Sequence, residues 1–509
     1  MKNWSETKLV AVITLVAMAI RVYLSLTSFC IAADGVGYLE MAQAFTAGHP
    51  AQALSSLFSP LYPFLISLGY RILPNWELTG ELISTVFGTL SIPLLYLLIR
   101  EVHGRRELAA GAAALAAIHP ELANYSASVR TEAGFICLAI ASLYLFVSGV
   151  GRPRPLRIAG AGAVGGVAYL CRAEGIGLIP VCIAILFIGT FTWRRWNLAA
   201  AVRWAIFFAV PFAIVASPYL IYLRHAMGHW TVSRELNFAA AQSVMERARN
   251  KTPWLSLQRS ANTSILAPLL TDPRAYFSKL GYDLLMSPYY FMQAILPPVA
   301  GLLVIGLWVR GRGLFLSFGE SVLALEVGFH FFGFAFYNTG PRFMVHLIPY
   351  TFGWTMIGLE AATRAVERLR LGRRRIPAPT LAVLLALVLL PRTLWPIGYD
   401  LRGFRYAAAE IARRGVKPGT IACGDPRFAF YADADRVELP EHPRPDVCGW
   451  VLSTRADYMM LSEHDESRWG DLSAARCLEF IRRYPRTGAR YFDLFQIRRR
   501  DPNGGVRSD

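Results

Sequence analysis

The sequence predicts a mainly α-helical, polytopic membrane bundle of about 11 spans, ending in a small α/β domain. Three observations predict it. Of 509 residues, 54% are hydrophobic and 17% charged, a balance too apolar for a soluble chain of this size. The apolar residues gather into runs, and a span needs about 20 of them, fewer where a helix is buried among others. Beyond residue 398 the composition turns polar, which divides the chain into 1–398 and 399–509.

The runs lie near 9–32, 78–99, 108–123, 132–149, 157–172, 175–192, 203–223, 287–309, 313–336, 342–361 and 378–396. The third and fifth are short and rich in alanine and glycine. Orientation follows from the gaps. Lys2 and Lys8, Arg100, Arg105 and Arg106, Arg152, Arg154 and Arg157, Arg194, Arg195 and Arg203, Arg310 and Arg312, and the run from Arg364 to Arg375 all fall in even-numbered gaps. By the positive-inside rule the N-terminus is cytoplasmic and the C-terminal domain extracytoplasmic. The formal charge of +17 is therefore a topology signal, and nucleic acid is not an expected partner.

Two loops stand out on the external side, 33–77 and 224–287. In the first, Asp34 ends an apolar run, and Tyr38, Met41, Ala42 and Phe45 share one helical face while Glu40 and Gln43 do not. That spacing suits an interfacial helix. Ser59–Pro74 is apolar enough to span, yet counting it would move every later arginine cluster outside. It is read as interfacial or re-entrant. The N-terminal run lacks a small-x-small cleavage site followed by a soluble chain, so it is read as an uncleaved span.

Three short external loops carry Arg130, Arg172 and Arg342, with Glu132 and Glu174 close by in sequence. Each alone fits a snorkelling or locally paired side chain. Together they suit a membrane-level pocket for a phosphate-bearing lipid whose headgroup meets a second substrate.

The series "ADGVGYLEMA", "SPLYPFLISLGY", "HPELANYSASVRTE", "YLCRAEGIGLIP" and "GPRFMVHLIPY" resembles the GT-C membrane glycosyltransferases, in the branch of protein O-mannosyltransferases and the lipid A aminoarabinose transferase. The resemblance implies a helix bundle with juxtamembrane helices in the first external loop, a polyprenyl-phosphate-linked monosaccharide donor, and a lipid, glycan or protein acceptor. It marks Asp34 as the first-loop acid that binds or deprotonates the acceptor, Tyr38 as the aromatic four residues on, and Pro60 with Tyr62 as the proline-led helix. Glu132 matches the acid opening the fourth span and Arg342 the base before a late span. Many relatives have an acidic pair at the first position, whereas here Asp34 is followed by Gly35.

The chemistry asks for the same groups. Sugar transfer through an oxocarbenium-like transition state needs a carboxylate to take the acceptor proton and cations to stabilise the departing phosphate. Asp34 is the expected general base, Arg130, Arg172 and Arg342 the expected phosphate clamp, and an inverting single displacement follows. The competing role for Asp34 is an N-cap, worth about 1 kcal/mol.

Arg21, Glu81, Glu326 and His330 lie within spans and are expected to face the bundle or pair. Glu326 and His330 share a helical face, where a paired role is expected ahead of a metal contact. His346, four residues after Arg342, is a further donor-site candidate, and His119 is read as a helix-end residue. The loop 224–287 is expected to hold one or two amphipathic helices, as a lid over the pocket or as plain surface.

The C-terminal domain shows strand-like "GTIACG" and "ADYMMLS", a helix-like "SAARCLEFIRRYP" and a basic tail read as frayed. Its three cysteines, Cys423, Cys448 and Cys477, allow one disulfide, and the sequence does not choose the pair. A scaffold or acceptor-binding role is expected of it. No cofactor is called for, and a divalent metal is left open. The alternatives are a transporter or flippase, for which no inverted repeat of broken helices is visible, and a membrane-anchored assembly protein.

Overall fold

The computed structural model describes residues 5–55, 57–247, 267–311, 316–368, 370–371, 374–375, 377, 379–415, 417–440, 446–463, 465, 469, 472, 475–485 and 491–499. By packing, the chain forms two units. One is Met1–Ser25 with Tyr38–Trp395; the other is Leu26–Gly37 with Pro396–Asp509. The sequence divided the chain at 398/399 and kept the first loop whole; the packing instead gives Leu26–Gly37 to the second unit.

Along the chain come α1 (Glu6–Leu26), α2 (Ala33–Thr46), whose residues up to Gly37 belong to the second unit, and then α3 (Pro50–Leu54), α4 (Leu61–Tyr70), α5 (Trp76–His103), α6 (Arg106–Ile118) and α7 (Pro120–Ser126) in the first. Then come α8 (Glu132–Gly151), α9 (Pro155–Cys171), a 3-10 turn (Ala173–Gly177), α10 (Leu178–Phe191), α11 (Leu198–Met227) and α12 (Arg234–Arg247). After these follow α13 (Ala267–Thr271), α14 (Pro273–Ile295), α15 (Pro297–Gly311), α16 (Phe318–Tyr337), α17 (Pro341–Met344), a 3-10 turn (Val345–Leu347), α18 (Ile348–Glu367), the two-stranded ribbon β1 (Arg370–Leu371) with β2 (Arg374–Arg375), and α19 (Thr380–Thr393).

Local chemistry sets the helix ends. Asn75 accepts from Leu78 N at 3.0 Å to start α5, which stops where Gly104 turns left-handed at φ 67°. Asn197 and Gly228 bound α11 in the same way, and Ser317 with Glu320 closes a capping box on α16. Such caps satisfy backbone groups that a helix end leaves unpaired.

Among the described residues five helical segments are long and apolar enough to cross a membrane: α1, α5, α8, Ala173–Phe191 and α11. The remaining expected spans are also helical but are shorter, bent or less apolar along their length. The run 287–309 is not one continuous helix, because α14 and α15 meet at 113°. Pro297 and Pro298 have no N–H to continue the helix, and Leu296 takes φ 72° at the corner. The run 108–123 breaks at His119 before Pro120. Arg21, buried in α1, donates to the carbonyls of Ala116 and Ala117 in the last turn of α6, and His119 Nε2 lies 3.2 Å from the carbonyl of Ile295 at the corner of α14. The two intramembrane polar residues thus serve the helix breaks.

The first-loop helices follow the expectation in part. α2 is covered on more than one face: Val36, Tyr38, Leu39, Met41, Ala42 and Ala44 are all buried, leaving a narrow stripe through Glu40 and Gln43 exposed. The sequence pattern was too uniformly apolar to show which faces the protein covers. α4, 10 residues long, extends about 15 Å, too short to span.

Helices of the bundle approach closely at glycines. A Cβ built on Gly306 would lie 1.8 Å from the Trp354 carbonyl oxygen, and one on Gly358 would lie 1.8 Å from that of Leu302. α15 and α18 therefore touch backbone to backbone. Gly306→Ala is expected to force them apart and cost about 1–3 kcal/mol, read as a lower thermal unfolding midpoint in detergent; an unchanged midpoint would contradict the contact.

In the second unit, β3 (Thr420–Cys423), β4 (Asp435–Val437), β5 (Tyr458–Ser462), β6 (Leu478–Pro485) and β7 (Tyr491–Ile497) form a sheet in the order β4-β3-β5-β7-β6. β3 runs parallel to β4 and β5, while β7 is antiparallel to β5 and β6. Alternation sends Ile421 and Cys423 to one face, against Phe404, Ala407 and Phe428, and Ala422 to the other, against Val451, Met459 and Phe495. Helices Gly403–Arg413 and Pro426–Tyr431 cover the first face; Val447–Ser453 covers the second. The segment from the first loop joins through Phe29 N to Ile397 O at 2.8 Å and Ile31 N to the Tyr431 hydroxyl at 2.6 Å.

The expected strands are β3 and β5. The expected helix in 473–485 is instead strand β6. A bulge between Phe480 and Arg482 interrupts the alternation, so that Leu478, Ile481 and Tyr484 recur every three residues and imitate a helix. Of the tail, Gln496 and Ile497 complete β7, and 500–509 lie outside the described residues.

Cys448 and Cys477 form the disulfide, leaving Cys423 free. Burial pushes the Cys423 thiol up to about 12, so little reactive thiolate is present near neutrality. Iodoacetamide at about pH 8 is expected to spare Cys423 in the folded protein and label it after denaturation; mass spectrometry distinguishes the two, and rapid native labelling would contradict the burial.

Candidate active site

The expected charged residues of the first unit converge from three helix ends. Glu132 is the first residue of α8, where a carboxylate also complements the helix dipole. Arg172 is the extended residue (φ −154°, ψ 136°) that ends α9 and begins the 3-10 turn. That turn folds tightly back: a Cβ on Gly175 would lie 2.5 Å from Tyr169 N. Arg342 follows Pro341 at the start of α17.

Arg172 is the centre. Its Nε donates to Glu174 Oε1 at 2.8 Å, and its Nη1 lies 3.4 Å from Glu132 Oε1 and 3.2 Å from Thr131 Oγ1. Arg342 Nε donates to the same Glu132 oxygen at 2.8 Å. The side chains of Arg172, Glu132 and Glu174 are 3–4% exposed, whereas that of Arg342 is 33% exposed. Two cations thus balance two carboxylates, with Arg342 as the accessible member. The second oxygens of Glu132 and Glu174 are buried without a hydrogen-bond partner. Glu235 on α12 also acts electrostatically on Arg172.

Arg130 is placed differently from its sequence neighbourhood. It does not pair with Glu132; its guanidinium lies over the Tyr125 ring, 4.6 Å from the centroid. Its backbone N–H donates to the Tyr62 hydroxyl at 3.1 Å, and its carbonyl accepts from Ser84 at 3.2 Å. Tyr62 also bonds the Gly80 carbonyl and Ser84. This fully buried tyrosine positions the loop before α8. Tyr38 is 1% exposed, lies 3.4 Å from Thr131 Oγ1 and packs on Phe58 and Tyr62. It too supports the loop that ends in Glu132.

Asp34 occupies the first turn of α2, at its second residue and half-buried. It is one residue inside the helix, so the N-cap role gives way to a charge in the first turn. His346 lies in the 3-10 turn beyond α17, its ring 4.9 Å from that of His330 and 5.1 Å from that of Phe135.

The sequence reading passed over Thr131, Ser84 and Tyr350. Thr131 stands between two singled-out residues, and Tyr350 follows His346 by four, the spacing that shares a helical face. Ser84 had no local signal. Glu81, expected to face the bundle, is 4% exposed. In the loop 224–287, α12 is the first helix expected there, and 248–266, holding most of "ANTSILAPLL", lie outside the described residues. Among the described residues no group of three or more His, Cys, Asp and Glu is arranged to hold a metal ion.

Known structures share this architecture. ArnT from Cupriavidus metallidurans bound to undecaprenyl phosphate matches with TM-score 0.57 at 15% identity, over 96% of this chain and 98% of that one. The Archaeoglobus fulgidus oligosaccharyltransferase in its apo form matches with TM-score 0.53 at 14% identity, over 99% and 74%. The same archaeal enzyme with an inhibitory peptide and a dolichol-phosphate matches with TM-score 0.51 at 14% identity, over 100% and 74%. The chain therefore has the GT-C fold of membrane glycosyltransferases. Within it, residues 49–222 match the family model for dolichyl-phosphate-mannose-protein mannosyltransferase, a stretch that holds Tyr62, Arg130, Glu132, Arg172 and Glu174 but neither Asp34 nor Arg342. No curated protein matches the chain.

Proposed function

We propose that the chain transfers a monosaccharide from a polyprenyl-phosphate-linked donor to a lipid, glycan or protein acceptor, at the extracytoplasmic face of a bacterial-type plasma (inner) membrane. The observation that carries this reading is the buried Arg172–Glu132–Arg342 cluster within a GT-C fold. An arginine held between carboxylates keeps its fork fixed for a phosphate, and a partly exposed second arginine gives the headgroup a way in. Arg130 supplies a third cation.

Asp34 takes the proton of the acceptor hydroxyl as that oxygen forms its bond to the anomeric carbon. The bond from that carbon to the phosphate oxygen breaks, and its electrons remain on the phosphate, where the arginines stabilise them. A single displacement of this kind inverts the anomeric centre.

Protein purified into lipid and given polyprenyl-phosphate monosaccharides with radiolabelled sugar is expected to move label onto acceptors from an envelope extract. Label that crosses the bilayer still attached to its donor would instead identify a flippase, and binding without turnover an assembly protein.

A further inference from the structure

The start of α2 has little to hold it in place by itself. Gly35 and Gly37 flank Val36 there, and glycine favours a helix least of all residues but proline. Yet this turn carries Asp34, and a general base must lie within hydrogen-bond reach of the proton it takes. What fixes the turn is the chain before it. Leu26–Gly37 packs with Pro396–Asp509, so Asp34 belongs by packing to the second unit.

Three successive residues make the attachment. Phe29 N donates to the Ile397 carbonyl at 2.8 Å, and its ring meets that of Tyr399 edge-on at 5.4 Å. Cys30, 3% exposed, enters the core of the first sheet face with Phe404 and Phe428. It lies so close to Gly398 that a Cβ on that glycine would be 2.8 Å from the Cys30 carbonyl oxygen, and Gly398 takes φ 66°. Ile31, 2% exposed, donates its N–H to the Tyr431 hydroxyl at 2.6 Å. Tyr431 ends the helix Pro426–Tyr431 and packs on the same core, with the Arg405 guanidinium over its ring, 4.7 Å from the centroid.

A buried N–H outside a helix needs a partner, and Ile31 finds it in a side chain of the second unit. Ala32 and Ala33 separate Ile31 from Asp34, and the Gly35 N–H already bonds to the Ala32 carbonyl at 2.9 Å. A link so short and so tied passes a displacement of Ile31 on to the carboxylate. We propose that Tyr431 is a positioning residue for sugar transfer: by holding the Ile31 N–H, its hydroxyl sets where the Asp34 carboxylate stands, which gives the second unit a part in the chemical step. The inference rests on the general-base role proposed above for Asp34.

The test is a double-mutant cycle on the full chain in lipid, with a radiolabelled polyprenyl-phosphate monosaccharide as donor and an envelope extract as acceptor. Tyr431→Phe keeps the ring and removes the hydroxyl. It is expected to lower kcat about tenfold, since a misplacement near 1 Å can cost about 10²-fold, with the affinity for undecaprenyl phosphate and the thermal midpoint little changed. Introduced into Asp34→Asn, the same substitution is expected to change the residual rate by less than about twofold, because a residue that acts through another adds nothing once that other is gone. Gly398→Ala, which crowds Cys30, is expected to slow transfer as well, and again to add nothing in the Asp34→Asn background. A Tyr431→Phe variant as fast as wild type, or a loss that multiplies with that of Asp34→Asn, overturns the positioning role alone. Equal turnover by wild type and Asp34→Asn, or no transfer by wild type, overturns the role of Asp34 and this inference together.

Discussion

Arg172→Met is expected to lower the stability of the membrane unit by about 3–5 kcal/mol and to abolish binding of a polyprenyl phosphate. The stability loss comes less from the missing attraction than from what is left behind: Glu132 and Glu174, each 3% exposed, would lose the guanidinium they share. Arg342 keeps its contact to Glu132. A triple variant, Arg172→Met with Glu132→Gln and Glu174→Gln, separates the two effects. Removing the orphaned charges is expected to restore most of the stability, because replacing a whole buried ion network by neutral groups is often nearly neutral, while phosphate binding stays absent. Arg172→Lys keeps the charge and loses the fork, so an intermediate affinity is expected. Thermal unfolding and lipid-phosphate titration read the two quantities independently; a triple variant that regained binding along with stability would contradict a phosphate role for Arg172.

The second large effect is expected at Asp34. Asp34→Asn is expected to lower the rate of sugar transfer by about 10²–10⁴-fold with donor affinity unchanged, the range in which a positioned general base contributes. The structural alternative predicts much less. As a charge in the first turn of α2, Asp34 contributes about 0.3–1 kcal/mol to its helix, too little to unfold the chain. Equal turnover by wild type and Asp34→Asn would reduce the residue to that helical role and turn attention to Glu132 and Glu174.

Much of the bundle is legible in the sequence because apolar length alone decides it: α1, α5, α8 and α11 coincide with apolar runs. What was hidden depends on contacts distant in the chain. Arg342 and Glu132 are 210 residues apart, while the adjacent Arg130 suggested a local pair that the fold does not make. The corner at Leu296 lay inside an unbroken apolar run, with the two prolines after it as the only sign. Strand β6 misled through its bulge, which replaced a period of two by one near three. Glu326 and His330 were legible as a pair because their spacing alone puts them on one face, but their approach to His346 needed the packing of α16 against the turn before α18. Tyr62 shows the opposite limit: a motif marked it, and only the hydrogen bonds to Gly80, Ser84 and Arg130 reveal that it acts on the backbone.

The anomeric configuration of the product tests the account most directly. With a donor of defined configuration, nuclear magnetic resonance of the purified glycoside is predicted to show the opposite anomer, as a single displacement by a hydroxyl that Asp34 deprotonates requires. A product that retains the donor configuration would demand a second displacement and a protein nucleophile, and would contradict the single-step mechanism proposed for Asp34 and the arginine-held phosphate.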